Sequence, residues 1–319
     1  MQSLSEVSGS NLLRADTSQA VIECLYDSRV ARKLKVLLDG GIFFEGPRWH
    51  DDRWWVSDIV DQVVLAVDPS GRSARALTVE HQPSGLGWLP DGSLLVVSMR
   101  DHRLLRQWPD GHVTEHADLT AFCGGWLNDM VVDSLGRAYV GDFGFDLFGG
   151  AERRSTVLVR VDPDGSARVA ADDLMFPNGA VITADRMTLV VGETFRYRYT
   201  SFRIDEDGAL IDRTTWADLE RTDVRDRIAP DGCALDAEGH LWSADARSGR
   251  CFRIAPGGSV VDAIEPPAGL RYYACMLGGV DGRSFLGCAT MSANEAVRDR
   301  LRSSVLVTTT VDVPHAGLP

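Results

Sequence analysis

Six segments of the chain open a strand in the same way: Glu45-Gly46-Pro47-Arg48-Trp49, Ser84-Gly85-Leu86-Gly87-Trp88, Asn128-Asp129-Met130-Val131-Val132, Asn178-Gly179-Ala180-Val181-Ile182, Asp231-Gly232-Cys233-Ala234-Leu235 and Cys275-Met276-Leu277-Gly278-Gly279. Each is followed by a turn and then an apolar strand, as His50-Asp51-Asp52 is followed by Trp54-Trp55-Val56-Ser57. A unit of several short strands that recurs every roughly 40 to 50 residues is the pattern of a β-propeller and not of a helical solenoid. Equivalent positions of such repeats converge on one axis. Glu45, Ser84, Asn128, Asn178, Asp231 and Cys275 are therefore expected to form one ring, although they are spread over most of the chain.

Within the units, Asp-Gly pairs at 91, 110, 164, 207 and 281 fall where hairpins close, the ordinary place for such turn dipeptides. Asn178-Gly179 and Asp231-Gly232 differ in phase: each follows a proline and leads into a strand. Six units predict an all-β fold, a six-bladed β-propeller with a central metal-binding tunnel. It is expected to occupy residues 41–319 as one domain, behind an N-terminal extension, residues 1–40. The extension has one amphipathic stretch around Val21 to Leu38, suited to a strand that closes the ring, a helix across one face, or the contact of a homo-oligomer.

The net charge of −13 argues against a nucleic-acid partner, which needs a basic face. No apolar run reaches the about 18 residues a membrane span requires. The start of the chain lacks both a basic segment and an apolar stretch, so the expectation is a cytoplasmic protein with no membrane partner. Six cysteines show no C-x-x-C spacing and read as small buried hydrophobes. Lysine occurs only at 33 and 35, ahead of the first repeat, which excludes a Schiff-base lysine among the repeats. Nucleophile-elbow, zincin, phosphate-loop and dinucleotide motifs are all missing.

Four of the six ring positions, Glu45, Asn128, Asn178 and Asp231, carry side-chain oxygens, and two of the four are acidic. Hard cations such as calcium take about six to eight oxygens from carboxylates, amide carbonyls and water. Four protein ligands leave places for water or substrate, which suits catalysis. Softer metals prefer imidazole or thiolate. None of the seven histidines falls at a ring position, and the single thiol there, Cys275, reads as packing.

Phe44-Glu45-Gly46-Pro47, Leu127-Asn128-Asp129, Phe176-Pro177-Asn178-Gly179 and Ala229-Pro230-Asp231-Gly232 together resemble the motifs of the gluconolactonase, senescence marker protein and luciferin-regenerating enzyme family, over about residues 36 to 310. The resemblance implies six blades, a divalent ion in the central tunnel, usually calcium, and hydrolysis of lactones. It makes Glu45, Asn178 and Asp231 direct ligands, and Asn128 either a fourth ligand or a contact for substrate and water. A bound cation polarises the lactone carbonyl while a carboxylate activates water. Asp231 is the first candidate for that base, or for direct attack, and Glu45 the second. Oxygen ligands accept Mn2+, Mg2+ or Zn2+ as well as Ca2+.

Sugar-lactone members of the family often carry an arginine two residues before the motif asparagine, where this chain has Trp126. That departure points to a less polar lactone or ester as the small-molecule substrate. Phe143, with Phe145, Phe148 and Phe195, is expected either at the same mouth or in packing between blades. Arg100, Glu193 and Arg196 are the polar candidates for substrate contact, and the glycine-rich insertion after Gly144 suits a covering loop. Other readings fit the same residues: a metal-dependent phosphotriesterase or arylesterase on the same site, a calcium-binding scaffold without catalysis, or a biosynthetic enzyme on this scaffold.

Overall fold

The computed structural model of the chain describes residues 32–222 and 227–317. Among these, 24 strands form six antiparallel sheets of four strands each. In five sheets the strands follow chain order outward from the axis. The innermost are Phe44–His50, Pro83–Trp88, Leu127–Val132, Pro177–Ile182 and Pro230–Leu235. The sixth runs Arg271–Gly278, Ser284–Thr290 and Ser304–Thr310, and takes its outermost strand, Lys35–Gly41, from the other end of the sequence. Lys35 pairs with Thr308 and Gly41 with Ser304, so the first and last strands close the propeller. The sheets thus take in residues from 35 onward. Of the extension, residues 1–40, and its amphipathic stretch around Val21 to Leu38, the part before residue 32 lies outside the described residues.

Local sequence explains the graded burial across each blade. The second strands, such as Leu94–Ser98 and Ala138–Asp142, are buried along their whole length and read as continuous apolar runs. The fourth strands, such as Ser73–Thr78 and Val113–Asp118, are largely exposed and mostly polar. Glycines at the hairpin ends, Gly92, Gly111, Gly165 and Gly208 among them, hold the positive φ those turns require. Between blades, Trp54, Trp242, Tyr272 and Phe285 pack in one apolar cluster, and Leu95, Leu104, Met130 and Phe143 in another. Each innermost strand lies against that of the next blade, and the sixth returns to the first.

Every innermost strand is irregular at the same level. The pairing slips between Glu45 and Arg48, Pro83 and Leu86, Leu127 and Met130, Pro177 and Ala180, Pro230 and Cys233, and Tyr272 and Ala274. A bulge puts two residues against one and re-aims the side chain it carries. The glycine that follows the ring residue lets the neighbouring blade come close. A Cβ placed on Gly179 would lie 2.5 Å from the Asp231 carbonyl oxygen and 2.7 Å from the Cys233 nitrogen.

A second recurring device lies just outside the bulges. The second strand ends in an acid in four blades: Asp58, Asp142, Glu193 and Asp245. Each accepts backbone N–H groups from the segment that leads into its innermost strand: Asp58 from Ile42 and Phe43, Asp142 from Gly124 and Gly125, Glu193 from Met175, and Asp245 from Ala229. These bonds fix the entry of the strand and hence the ring residue two or three positions after the nearest donor. Gly179→Ala should lower stability by about 1 to 3 kcal/mol, the usual cost of overpacking, read as a fall in melting temperature. An unchanged melt would mean that the two strands can part without cost.

Candidate metal centre

Asn128, Asn178 and Asp231 each lie in the bulge of a different blade, and Glu45 stands directly before the bulge of a fourth, each one residue after the pair that ends the second strand. Asn128, Asn178 and Asp231 are buried and Glu45 is partly exposed. Hydrogen bonds orient both amides. Asn128 Nδ2 donates to the Pro177 carbonyl at 3.2 Å, and Asn178 Nδ2 to Thr194 Oγ1 at 3.2 Å. Thr194 in turn donates to the Pro230 carbonyl at 2.7 Å, just before Asp231. With both NH2 ends tethered to protein oxygens, the amide carbonyl oxygens are the ends presented to a ligand.

The two carboxylates sit in an environment hostile to their negative charge. Burial, with the charge of Asp231 next in size, lifts the Glu45 carboxyl well above its ordinary value, against the opposing effect of the Gly46 N–H, which donates to Glu45 Oε2 at 2.8 Å. Asp231 is pushed up to about 7, chiefly by burial, with the Asn178 amide and the Gly232 N–H pulling the other way. Desolvated acids that repel each other are stabilised either by protons or by a cation. The donor set of two carboxylates and two amides therefore fits a hard divalent cation. Among the described residues no group of three His, Cys, Asp or Glu is placed to hold a metal. Half of this donor set is amide, and the third acid nearby, Asp129, is engaged elsewhere.

That engagement is a feature the sequence reading did not single out. Arg48 and Asp129 form an ion pair at 2.6 Å and are only 3% and 7% exposed. Arg48 also donates to the carbonyls of Pro47, Leu86 and Met130, so one guanidinium ties the innermost strands of three blades together. Asp129 stands where four of the other strands have a glycine after the ring residue, and that departure was the available signal.

The other expected site residues divide into two groups. Trp126 lies against Phe148 at 4.8 Å and Phe143 at 6.3 Å, with the Arg100 guanidinium 5.2 Å from its ring centre. Phe143 stacks on Phe176, which meets Phe195 edge-on, so these aromatics form one continuous cluster, with Phe143 and Phe176 buried in the core between blades and Trp126 and Phe195 packed against it. Glu193 is different. It is wholly buried, and its oxygens already accept from the Met175 N–H, Arg196, Arg198 and Thr200. Arg196 spans Glu193 and Asp173. Both residues thus tie strand ends of the fourth blade together, Glu193 from a wholly buried position and Arg196 from a partly exposed one.

Cys275, taken from the sequence as the sixth ring residue, is 1% exposed and pairs with Gly287, past the slip between Tyr272 and Ala274 and not at it. Its thiol donates to the carbonyls of Trp242 at 3.4 Å and Gly232 at 3.6 Å. The five described cysteines are free thiols.

A family model described as "SMP-30/Gluconolactonase/LRE-like region" matches residues 43–286. The chain is 30% identical over 291 residues to a 6-deoxy-6-sulfogluconolactonase of Pseudomonas putida, covering 89% of this chain and 96% of that protein. It is 28% identical over 235 residues to a pentonolactonase of Haloferax volcanii, covering 70% and 73% of the two chains. Among solved structures it is similar to a calcium-binding protein, regucalcin, from Agrobacterium tumefaciens, with a TM-score of 0.73 at 20% identity over 91% of this chain and 97% of that one, a likeness of fold.

Arg48→Met would leave Asp129 buried without its partner and should cost about 3 to 5 kcal/mol in a denaturant melt; a loss below about 1 kcal/mol would contradict the stapling role. The raised Asp231 gives a second expectation. Because its pKa stands at about 7 in the folded chain against an ordinary 3.8, its contribution to stability is full below about pH 4 and is lost as the pH rises through about 7. In chelator, wild-type protein should therefore lose more melting temperature between those limits than Asp231→Asn, and calcium should remove the difference. Parallel pH curves with and without calcium would show that Asp231 does not face a cation.

Proposed function

The chain belongs to the SMP-30/gluconolactonase/LRE-like family, and from that premise we propose that it is a lactone hydrolase whose working site is the ring of Glu45, Asn128, Asn178 and Asp231. The observation that carries this reading is the convergence of two mutually repelling carboxylates and two tethered amides from four blades on one level. Relatives named as lactonases support the reaction class. A fold shared with a calcium-binding protein supports calcium as the ion.

Glu45, Asn128, Asn178 and Asp231 would hold the cation, which when bound supplies polarisation of the lactone carbonyl. The chain's own groups then have distinct tasks. Asp231, through the carboxylate oxygen that does not hold the cation, would take the proton of the attacking water. The Asn178 amide orients it. As the ring C–O bond breaks, the departing oxygen recovers that proton, leaving a hydroxy acid. Trp126, Phe143 and Phe148 form an apolar wall on the side of Asn128, and the Arg100 guanidinium lies over the Trp126 ring. This wall favours a lactone with an apolar flank.

The test is a pH-indicator assay on metal-stripped protein over sugar, aliphatic and aromatic lactones, with calcium, manganese or zinc added back. Turnover should return with calcium, and Asp231→Ala should lower kcat by about 10²- to 10⁴-fold, the span of general acid–base catalysis. No turnover with any lactone and any of these ions would overturn the reading. On the same panel, Trp126→Arg should shift the kcat/KM ratio toward the polyhydroxylated lactones; an unchanged ratio would remove Trp126 from the substrate wall.

A further inference from the structure

Five blades supply ring residues by one rule. The last residue of the second strand pairs with Phe44, Pro83, Leu127, Pro177 or Pro230, and the next residue along stands at the slip in pairing: Glu45 is the last paired residue before it, opposite Ser57, and Ser84, Asn128, Asn178 and Asp231 are the first unpaired ones. The sixth blade lacks the glycine-containing motif, and its extra residue comes elsewhere. Arg271 pairs with Thr290 and Tyr272 with Ala289, and the unpaired residue before Ala274 is Tyr273.

Contacts between blades fix the level independently. A Cβ on Gly46 would lie 2.7 Å from the Ser84 carbonyl oxygen and 3.6 Å from the Gly85 Cα; on Gly179, 2.5 Å from the Asp231 carbonyl oxygen and 2.9 Å from the Gly232 Cα. The glycine after one ring residue thus faces the ring residue of the next blade. On Gly232 the same point lies 3.3 Å from the Tyr273 carbonyl oxygen and 2.7 Å from the Ala274 Cα. Tyr273 therefore occupies the sixth position, between the blades of Asp231 and Glu45.

The phenol is anchored but not used up. Tyr273 is 9% exposed, and its ring meets Phe43, the neighbour of Glu45 by two positions, edge-on at 5.2 Å. Its oxygen accepts the Ala293 N–H at 2.9 Å, at the start of the short helix Ala293–Asp299. An acceptor role for the oxygen leaves the hydroxyl hydrogen to be donated. Burial and the charges of Asp231 and Glu45 hold the phenol in its protonated form.

We propose that Tyr273 is the sixth ring residue and that its O–H donates a hydrogen bond to the substrate oxygen that gains negative charge as a lactone opens; this rests on the lactone-hydrolase reading. Tyr273 stays neutral throughout. The water oxygen bonds to the carbonyl carbon, its proton passes to Asp231, the ring C–O bond breaks, and the departing oxygen takes the proton back. A preorganised donor at such a point stabilises the transition state more than the ground state.

The experiment compares Tyr273→Phe with Tyr272→Phe on whichever lactone wild-type protein turns over. Tyr272 is the adjacent buried tyrosine, and its hydroxyl bonds the Glu265 carbonyl at 3.3 Å, away from the ring level. Tyr273→Phe should lower kcat by about 10- to 100-fold, at the lower edge of what loss of one such donor costs, with KM and calcium affinity unchanged; Tyr272→Phe should leave kcat unchanged. Full activity in Tyr273→Phe, or an equal loss in both variants, overturns the assignment of Tyr273 alone, whereas inactive wild-type protein overturns the hydrolase reading beneath it. If Tyr273→Phe does not fold, Tyr273→Leu, which also lacks a donor, decides in its place: a lowered kcat at unchanged KM supports the role, and an unchanged kcat overturns it.

Discussion

The close lateral packing of six bulged strands is the constraint on which the rest of this molecule depends. Each bulge turns one side chain out of the regular alternation of its strand, and the residue after it brings the next blade within contact distance. Because the sheets close through Lys35–Gly41, the spacing of all six bulges is set together. Ring residues with no local reason to meet, Glu45 and Asp231 among them, are thereby held in each other's field. Packing of apolar strands creates a cluster of buried acids that packing alone does not stabilise.

The structure manages that charge in two ways. Asp129 is neutralised within the protein by Arg48, whose other donors hold the carbonyls of neighbouring blades. Among the described residues Glu45 and Asp231 have no ion-pair partner of that kind: they accept from N–H and amide donors, with the Arg48 charge a minor influence on Glu45. One acid is therefore part of the scaffold and two are kept in need of a partner, which separates structure from chemistry within a few residues of sequence.

Much of this was legible in the repeats. Six units with Asp-Gly hairpins predict six blades, and the phase of Asn178 and Asp231 relative to their prolines distinguishes ring residues from turns. The sixth blade was misplaced by two residues because it has no Pro-X-Gly signature. Cys275 matches the motif only by position in an apolar run, whereas the unpaired residue of that strand, and the one whose carbonyl faces Gly232, is Tyr273. Glu193 looked like a polar residue at the mouth, yet it is the fourth-blade counterpart of Asp58, Asp142 and Asp245, and that recurrence was already present in the sequence. The Arg48–Asp129 pair is a long-range partnership of residues 81 positions apart, which no local pattern encodes.

The central claim is that four blades build one cation site. Anomalous diffraction from crystals grown with calcium tests it most directly. The account predicts a single strong peak on the propeller axis, with oxygens of Glu45, Asn178 and Asp231 at about 2.3 to 2.6 Å. A map with no peak at the ring, or with calcium bound only by surface acids, would contradict it.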